Sequence, residues 1–334
     1  MNATIKLEKK HFPVLLDELI SIISPLYGGT FIDCTFGEGG YSKKILEHKK
    51  NNVIAIDRDK DAKLHAESLK KKFGKRFVFL NSTFKEINHI DKTNKNIKAI
   101  IFDLGYSTNQ ILDYSKGISF KSKGKLNMKM GINTFSAHEV INKLEEDHLK
   151  KIFKYFGDEK NANLIAKKIV VERKKNLLQT EDLVKIIESS YKKKYTKSHK
   201  STKIFQALRI FVNQEISQLI HGLINSFKVL PVGGYLIVVT FHSLEDKIVK
   251  FFFKNYSEIS NTSRYLPETK NEKKILKLLN KKPIVPTNKE IILNPPSRSA
   301  KLRYAIKIND KQKFDFFLKK FENLINIENL YLNL

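Results

Sequence analysis

Short apolar runs alternate with amphipathic segments along the first hundred residues. Residues 42–48 and 58–70 are typical of helices, and four mainly apolar runs flank them, at 31–33, 53–57, 77–84 and 97–103. The fourth run is apolar at nearly every position, which is typical of a strand buried on both faces of a parallel sheet. The pattern therefore predicts an α/β fold with a mainly parallel sheet.

The alternation of strands and helices stops at residue 108 and resumes near residue 233. Residues 108–131 are rich in Ser, Gly and Lys, as in a loop, and helical patterns follow. Residues 203–227 predict one long amphipathic helix, and 233–241 predict a fifth strand. We therefore predict an α/β domain in two parts with an all-helical insertion between them: 1–107, 108–205 and 206–334.

The C-terminal region completes the predicted sheet. Residues 251–282 are predicted to be helical and basic, and the last two strands are predicted at 285–293 and 302–308. The sheet then has seven strands. Near the other end of the chain, residues 11–27 predict a turn followed by an amphipathic helix that lies against the sheet.

A glycine-rich turn joins the first strand to the helix after it. Gly37, Gly39 and Gly40 form this turn, and a strand, a glycine turn and a helix open a nucleotide-binding α/β domain. Packing alone is the alternative explanation. Asp57 favours the cofactor site, because an acid about twenty residues after the turn binds ribose hydroxyls in such domains. The alternative role for Asp57 is a helix N-cap.

Three aspartates close strands of the predicted sheet, at Asp33, Asp57 and Asp103. Ligands bind beyond the carboxyl ends of the strands in sheets of this kind, so the three acids predict a site at one edge. Phe84, just past the third strand, is a candidate for packing on a flat ligand, with simple core packing as the alternative.

The chain carries 62 basic and 35 acidic residues, a formal net charge of +27. Such a charge indicates a polyanionic partner, nucleic acid first and an anionic membrane second, with a solvated surface as the alternative. The apolar run at 235–241 is far too short to span a bilayer, and the N-terminus has no apolar signal region. One cysteine excludes a disulfide framework, so we expect a cytoplasmic protein.

Eight motifs follow one another along the chain. They are HFPVLLDE, FIDCTFGEGGYS, AIDRD, the DLG-S segment, KGISF, FQALRIFVNQE, TFHSLEDKIVK and NPPSRSAKLR. Together they resemble the bacterial 16S ribosomal RNA cytosine-N4 methyltransferases, a family also called RsmH or MraW. The resemblance implies a class I, Rossmann-like methyltransferase fold with an inserted helical domain. It also implies that S-adenosylmethionine supplies a methyl group to N4 of a cytidine near the decoding centre.

The resemblance further assigns individual residues. It places Asp57 on the cofactor ribose and Phe84 beside the adenine. The other positions that it assigns to the cofactor are Gly39, Gly40, Tyr41, Asp103 and Gln110. The implied partner is 16S rRNA in the small ribosomal subunit or its late precursor, and no membrane. The oligomeric state stays open, with a homodimer as one alternative.

The exocyclic amine of cytosine is a poor nucleophile, because its lone pair is delocalised into the ring. Asp103 is our candidate acceptor for hydrogen bonds from that amine, and Tyr106 our candidate for stacking on the base. Alternatively, Asp103 only binds the cofactor. The reaction requires no metal and no covalent intermediate, so we predict no metal site and a packing role for Cys34. For His242 we expect structural hydrogen bonding, with substrate contact as the alternative.

The lysine-rich loop 116–129 and the helical insertion are predicted to face RNA. Within this loop the sequence departs from the family, because Asn127 replaces an acid. Two rival classes share some of these features. A nicotinamide dehydrogenase would need a glycine where Ser42 stands. A non-catalytic RNA-binding module would explain the charge but not three acids around a glycine turn.

Overall fold

The computed structural model describes residues 13–90, 96–106, 110, 113–131, 133–191, 199–258, 274–310 and 313–334. Within these residues one sheet has eight strands, in the order β3-β2-β1-β4-β5-β8-β7-β6. The strands are β1 (Thr30–Asp33), β2 (Asn52–Asp57), β3 (Phe77–Asn81), β4 (Ile97–Asp103), β5 (Tyr235–Thr240), β6 (Ser257–Glu258), β7 (Leu276–Leu278) and β8 (Lys301–Lys307).

The helices lie before, between and after these strands. They are α1 (Leu16–Ile23), α2 (Gly40–Leu46), α3 (Ala62–Phe73), α4 (Ala137–Lys143), α5 (Glu146–Gly157), α6 (Ala162–Glu172), α7 (Thr180–Glu188), α8 (Thr202–Asn213), α9 (Glu215–Val229), α10 (Ser243–Tyr256), α11 (Asn288–Leu293) and α12 (Asp315–Glu328). A short 3₁₀ helix, Phe84–His89, follows β3.

The order of the strands determines where a ligand can bind. From the centre of the sheet, β1, β2 and β3 follow one another toward one edge, and β4 and β5 follow one another toward the other. These five strands are all parallel. The switch point therefore lies between the carboxyl ends of β1 and β4, which is where open α/β sheets bind ligands. β8 lies antiparallel between β5 and β7. The predicted α/β fold is confirmed. Six of the seven predicted strands are present among the described residues, and the short β6 and β7, which were not predicted, bring the number to eight.

Alternate residues of the central strands enter two different cores. In β4, Ile100 and Phe102 pack with α9, α10 and the inserted helices. Ala99 and Ile101 point to the opposite face and pack with α1, α2 and α3. The sheet is therefore buried on both sides, as the continuous apolar runs predicted.

The inserted helices share the core of one sheet face rather than forming a separate one. Ser136 caps α4 and forms a capping box with Glu139. α5 packs on α8 and α12, so the insertion is in contact with elements on its C-terminal side. The predicted boundary at 205 falls inside α8, and the division into 1–107, 108–205 and 206–334 remains a proposal.

Two predicted elements were wrong. Residues 203–227 form two helices, because Gln214 has a left-handed backbone with φ 50° between α8 and α9. Residues 285–293 do not form a strand. They contain α11, which Thr287 caps by accepting a hydrogen bond from the Glu290 backbone N–H.

In its described part, the predicted basic helix at 251–282 is correct as far as Tyr256 and wrong beyond it. α10 ends at Tyr256, and β6 and β7 follow. Residues 259–273 of that prediction lie outside the described residues.

Candidate functional site

A cleft of about 510 Å³ opens at the carboxyl ends of β1, β2 and β4. Its volume lies within the range of roughly 300–1,000 Å³ that is common for small-molecule sites. Gly39 is buried directly behind the cleft wall. The other predicted site residues all line the cleft: Gly40, Tyr41, Asp57, Phe84, Asp103, Tyr106 and Gln110. Neighbouring strands of one sheet bring these residues together from distant parts of the sequence.

The glycine turn forms the floor of the cleft. Gly37 and Gly39 have positive φ angles of 52° and 78°, which favour glycine. A Cβ on Gly40 would lie 2.1 Å from the Pro13 ring, and one on Gly39 would lie 2.6 Å from the Phe36 ring. Around Gly37, in contrast, no heavy atom of the described residues lies within 4 Å of such a Cβ. Packing therefore explains Gly39 and Gly40, whereas Gly37 leaves room for a ligand.

Asp57 ties the turn to the end of β2. Its carboxylate accepts hydrogen bonds from the backbone N–H groups of Gly37, at 2.7 Å, and Asp59, at 2.8 Å. Burial raises the pKa of Asp57 above its usual range, although these two donors oppose the effect. α3 begins at Ala62 with Asp61 at the N-cap position. Asp57 therefore does not cap that helix.

Asp33 stabilises the turn from beneath and does not line the cleft. Its side chain is buried and accepts hydrogen bonds from the Ser42 hydroxyl, at 2.6 Å, and the Thr35 backbone N–H. Burial raises the pKa of Asp33 to about 6. Cys34, beside it, is also buried, and burial raises the pKa of its thiol, which is inconsistent with a reactive thiolate. Two of the three strand-closing acids therefore face the cleft.

Asp103 faces the cleft with an unsatisfied carboxylate oxygen. Its backbone N–H donates to the Thr35 hydroxyl at 2.6 Å, which fixes the end of β4 against β1. Its Oδ1 is buried and has no hydrogen-bond partner in the part of the chain that the structure describes. Burial and the nearby carboxylates of Asp33 and Glu245 raise the pKa of Asp103 well above its usual range. Such an acceptor favours a donor group from a ligand.

Phe84 forms the wall of the cleft beyond β3. Its ring meets Phe102 edge-to-face, with 5.3 Å between the ring centroids. A Cβ on Gly222 would lie 2.8 Å from the Phe84 ring, so this glycine lets α9 lie directly against it. Phe84 is only partly buried and lines the cleft. It therefore packs in the core and also offers a surface to a flat ligand.

Tyr106 is 43% exposed at the mouth of the cleft. The Arg209 guanidinium lies over its ring, 4.5 Å from the centroid, and donates to Glu215 at 2.8 Å. This buried cation was not predicted, because Arg209 lies within an apolar helical pattern. Arg209 holds the tyrosine ring by a cation–π contact, and the ring stays partly exposed.

His242 takes the structural role. It is the N-cap of α10, where its side chain accepts from the Glu245 backbone N–H and Glu245 bonds back to the His242 backbone. Side-chain atoms of Glu215, His242 and Glu245 that could ligate a metal ion lie within 4.8 Å of one another. The Arg209 guanidinium already supplies a positive charge to these three side chains.

The lysine-rich loop is anchored to the segment that follows Asp57. Gln110 donates to Asp59 at 2.7 Å, and Lys116 bridges Asp59 and Asp61 at 3.0 and 2.6 Å. Lys116 is therefore engaged within the protein and not free to bind phosphate. Gln110 lies at the rim of the cleft with its amide group bound to Asp59.

A second anchor holds the other end of this loop. The Asn213 side chain donates to the Met128 carbonyl, at 2.9 Å, and accepts from the Met130 backbone N–H, at 2.8 Å. Arg58, next to Asp57, donates to the Asn213 carbonyl at 2.7 Å. A Cβ on Gly131 would lie 1.9 Å from the Arg58 carbonyl oxygen. We call this contact between Arg58, Gly131 and Asn213 the loop clamp.

The fold and this cleft define a class I S-adenosylmethionine-dependent methyltransferase. Such an enzyme combines a doubly wound sheet, a glycine turn tied to an acid on β2, and a cleft at the switch point. The chain belongs to the MraW methylase family, which matches residues 8–308. The predicted family, reaction class and methyl donor are thereby confirmed.

Curated bacterial proteins match almost the whole length of the chain. The ribosomal RNA small subunit methyltransferase H of Orientia tsutsugamushi (strain Ikeda) is 41% identical over 309 residues, covering 90% of this chain and 99% of that protein. The protein of the same name from Rickettsia africae (strain ESF-5) is 40% identical over 301 residues, covering 89% and 98%. Both comparisons extend across the α/β domain and the helical insertion.

Solved structures also resemble the chain. A putative rRNA-methylase from Clostridium thermocellum aligns with 90% of this chain and 99% of its own, at 11% identity and a TM-score of 0.42. A putative methyltransferase from Streptococcus mutans, in complex with SAH, aligns with 89% and 99%, at 12% identity and a TM-score of 0.40. None of the helices in the described ranges is long and apolar enough to cross a membrane.

Proposed function

We propose that this protein transfers a methyl group from S-adenosylmethionine to the exocyclic N4 of a cytidine in 16S rRNA, near the decoding centre of the small subunit. The observation that carries the proposal is the unsatisfied Oδ1 of Asp103, buried at the switch point and close to the exposed Tyr106 ring. The names of the curated relatives support rRNA of the small subunit as the substrate. The sequence motifs support the N4 position. The location that goes with this substrate is the cytoplasm.

Asp103 activates the amine in this proposal. As a carboxylate it accepts a hydrogen bond from the amino group, which favours the pyramidal form with an available lone pair. The bound cofactor supplies an electrophilic methyl group on a sulfonium, which is a good leaving group. The remaining acceleration comes from alignment, because β4 and the Thr35 contact hold Asp103 in place.

Tyr106 receives the base. A nucleotide must leave its helix or loop to enter a cleft of this kind. The partly exposed Tyr106 ring, held by the Arg209 contact, is available for stacking on the base. Base–aromatic stacking is worth roughly 1–3 kcal/mol in single-stranded recognition, which offsets part of the cost of extruding the base.

The cofactor would occupy the part of the cleft between β1 and β3. Asp57 would accept hydrogen bonds from the ribose hydroxyls, and Phe84 would lie beside the adenine. Gly37 leaves room for the methionine part over the start of α2. Tyr41 contributes indirectly, because its hydroxyl donates to the Val14 carbonyl and holds the Pro13 segment against the turn.

Direct identification of the product tests this proposal. Small subunits from cells that lack the gene should gain N4-methylcytidine when incubated with the protein and S-adenosylmethionine, as read by nucleoside mass spectrometry. Nuclease mapping then locates the nucleotide. A methyl group on ring carbon C5, or on a base other than cytosine, would refute the proposed assignment of Asp103.

Exposed lysines of the loop are proposed to grip the RNA backbone. Lys123 and Lys125 are exposed, in contrast to the internally paired Lys116. Removing both in Lys123→Ala/Lys125→Ala should weaken binding to small subunits. It should also make the slope of log K against log salt shallower by about 0.7–0.9 for each phosphate that the variant no longer neutralises. Filter binding at several salt concentrations measures both quantities.

Lys71→Ala provides the control for this experiment. Lys71 is exposed on α3, which packs on the opposite sheet face from the insertion. The control should bind like wild type at every salt concentration. Equal slopes for the loop variant and wild type would exclude the loop from the RNA interface.

A further inference from the structure

Gln218 places an unsatisfied acceptor on the wall of the cleft. It lies in the first turn of α9, its side chain is 8% exposed, and it lines the cleft. Its Oε1 is buried without a hydrogen-bond partner among the residues given above as described. A buried acceptor without a donor is unfavourable, so this atom indicates where a ligand donor belongs.

The neighbours of Gln218 locate this acceptor within the cleft. Before α9, the Asn213 carbonyl accepts from Arg58, which follows Asp57 at the end of β2. One turn after Gln218, Gly222 lies against the Phe84 ring. The Gln218 amide therefore lies on the α9 side of the cleft, one helical turn from the Phe84 contact.

Few donors of the cofactor can reach this position. The ribose hydroxyls belong with Asp57, and the amino group of the methionine part belongs with the glycine turn. The remaining donor is the exocyclic N6 amine of adenine, which extends from the flat ring that we place beside Phe84. A glutamine amide suits this edge, because it accepts from the amine and can donate to a ring nitrogen.

We infer that Gln218 accepts a hydrogen bond from the N6 amine of adenine and thereby favours adenine over a purine that lacks this amine. This inference rests on the proposed position of the cofactor but not on the RNA substrate. The preference follows because a purine with only hydrogen at that position offers no donor to Oε1. The acceptor would then stay without a donor in a desolvated place.

Calorimetric binding of two homocysteine nucleosides tests the inference without RNA or turnover. S-adenosylhomocysteine carries the amine, and its purine riboside (nebularine) analogue has only hydrogen at that position. Wild-type protein should prefer the adenosyl ligand by about tenfold or more, the ratio that corresponds to one buried hydrogen bond. Gln218→Leu should bind the two ligands within about threefold of each other, mainly through weaker adenosyl binding.

Two further variants serve as controls. Gln218→Glu retains acceptor oxygens and should keep the preference for the adenosyl ligand. Gln206→Leu removes another glutamine of the cleft wall, whose amide donates to the Phe156 carbonyl at 3.2 Å. This variant should also keep the preference.

The outcomes separate this inference from the proposed function. Equal binding of both ligands by wild type, or an unchanged preference in Gln218→Leu, overturns the inference alone. Failure of wild type to bind either ligand overturns the cofactor site with it. If circular dichroism shows that Gln218→Leu is not folded, the ligand preferences of wild type and Gln218→Glu decide whether the inference holds.

Discussion

Replacing Asp103 with Asn is expected to lower kcat for methyl transfer by about a hundredfold to a thousandfold, the usual effect of removing one preorganised group that stabilises developing charge. The amine gains positive charge as the methyl group arrives, and it becomes neutral again when a proton passes from it to the Asp103 carboxylate. A carboxylate stabilises that change, and a neutral amide does so far less. Single-turnover transfer to small subunits measures the rate, and calorimetry measures cofactor affinity on the same sample.

Asp246→Asn is the matched control for this prediction. Asp246 lies in the first turn of α10, close to the end of β5, and pairs with Arg303 at 2.8 Å and Lys301 at 3.0 Å. It is not part of the cleft wall, so kcat should be nearly unchanged. Weaker cofactor binding with wild-type kcat in Asp103→Asn would instead assign Asp103 to the cofactor alone.

The same residue predicts a pH dependence. Burial and the carboxylates of Asp33 and Glu245 raise the pKa of Asp103. Only its charged form activates the amine, so kcat/KM should rise with pH through a value above the usual aspartate range and then level off. The positive charge of a bound sulfonium favours the carboxylate form of Asp103. The rise in kcat should therefore lie at a lower pH than the rise in kcat/KM. A profile without this acidic limb would contradict the role of the carboxylate.

Asp57→Ala is expected to weaken cofactor binding by about a hundredfold, which corresponds to the loss of hydrogen bonds to a charged group. The ribose loses its acceptor, and the backbone N–H groups of Gly37 and Asp59 lose theirs. The glycine turn should therefore loosen as the binding energy falls. Calorimetry with S-adenosylhomocysteine measures the dissociation constant.

Asp61→Asn controls for the loss of one negative charge near the same strand end. Its side chain is 74% exposed and does not line the main cleft. Its affinity for S-adenosylhomocysteine should match that of wild type. Similar losses in both variants would show that general electrostatics, rather than ribose recognition, sets the affinity.

The strands and the glycine turn were predictable because their signals are local. Apolar runs that end in an aspartate specify buried strands. Glycines before a helix, with Asp57 about twenty residues further along the chain, specify the turn. Parallel pairing then places Asp57 and Asp103 at one edge without further information. The cleft that contains them follows from topology.

Features that depend on tertiary contacts were not predictable. Gln214 has no local signal for a left-handed backbone. The break beside it is stabilised by Glu328, which accepts from the backbone N–H groups of Ile216 and Ser217 at 2.8 and 2.7 Å. Apolar residues at 285–293 suggested a strand, yet the region forms α11, from which Glu290 bonds to the Leu15 backbone N–H. In such places the distant partner decides the conformation.

Arg209 and Gln218 were missed for a related reason. Each lies within a helical segment whose apolar periodicity dominates the sequence. Their importance appears only in the folded protein, where Arg209 contacts the Tyr106 ring and Gln218 lines the cleft. Periodicity identifies the buried face of a helix but not which polar side chain on it reaches a ligand.

The loop clamp has a consequence for evolution and for engineering. Because the Arg58 carbonyl fills the space beside Gly131, and Asn213 holds Met128 and Met130, the lysine-rich loop cannot shift without disturbing the residue next to Asp57. Substitutions chosen to retune RNA recognition near residues 128–131 will also alter the affinity for the methyl donor. We therefore expect RNA recognition and donor use to adapt together at 128–131, whereas the exposed lysines at 121–125 lie outside the loop clamp and can change without affecting the donor site.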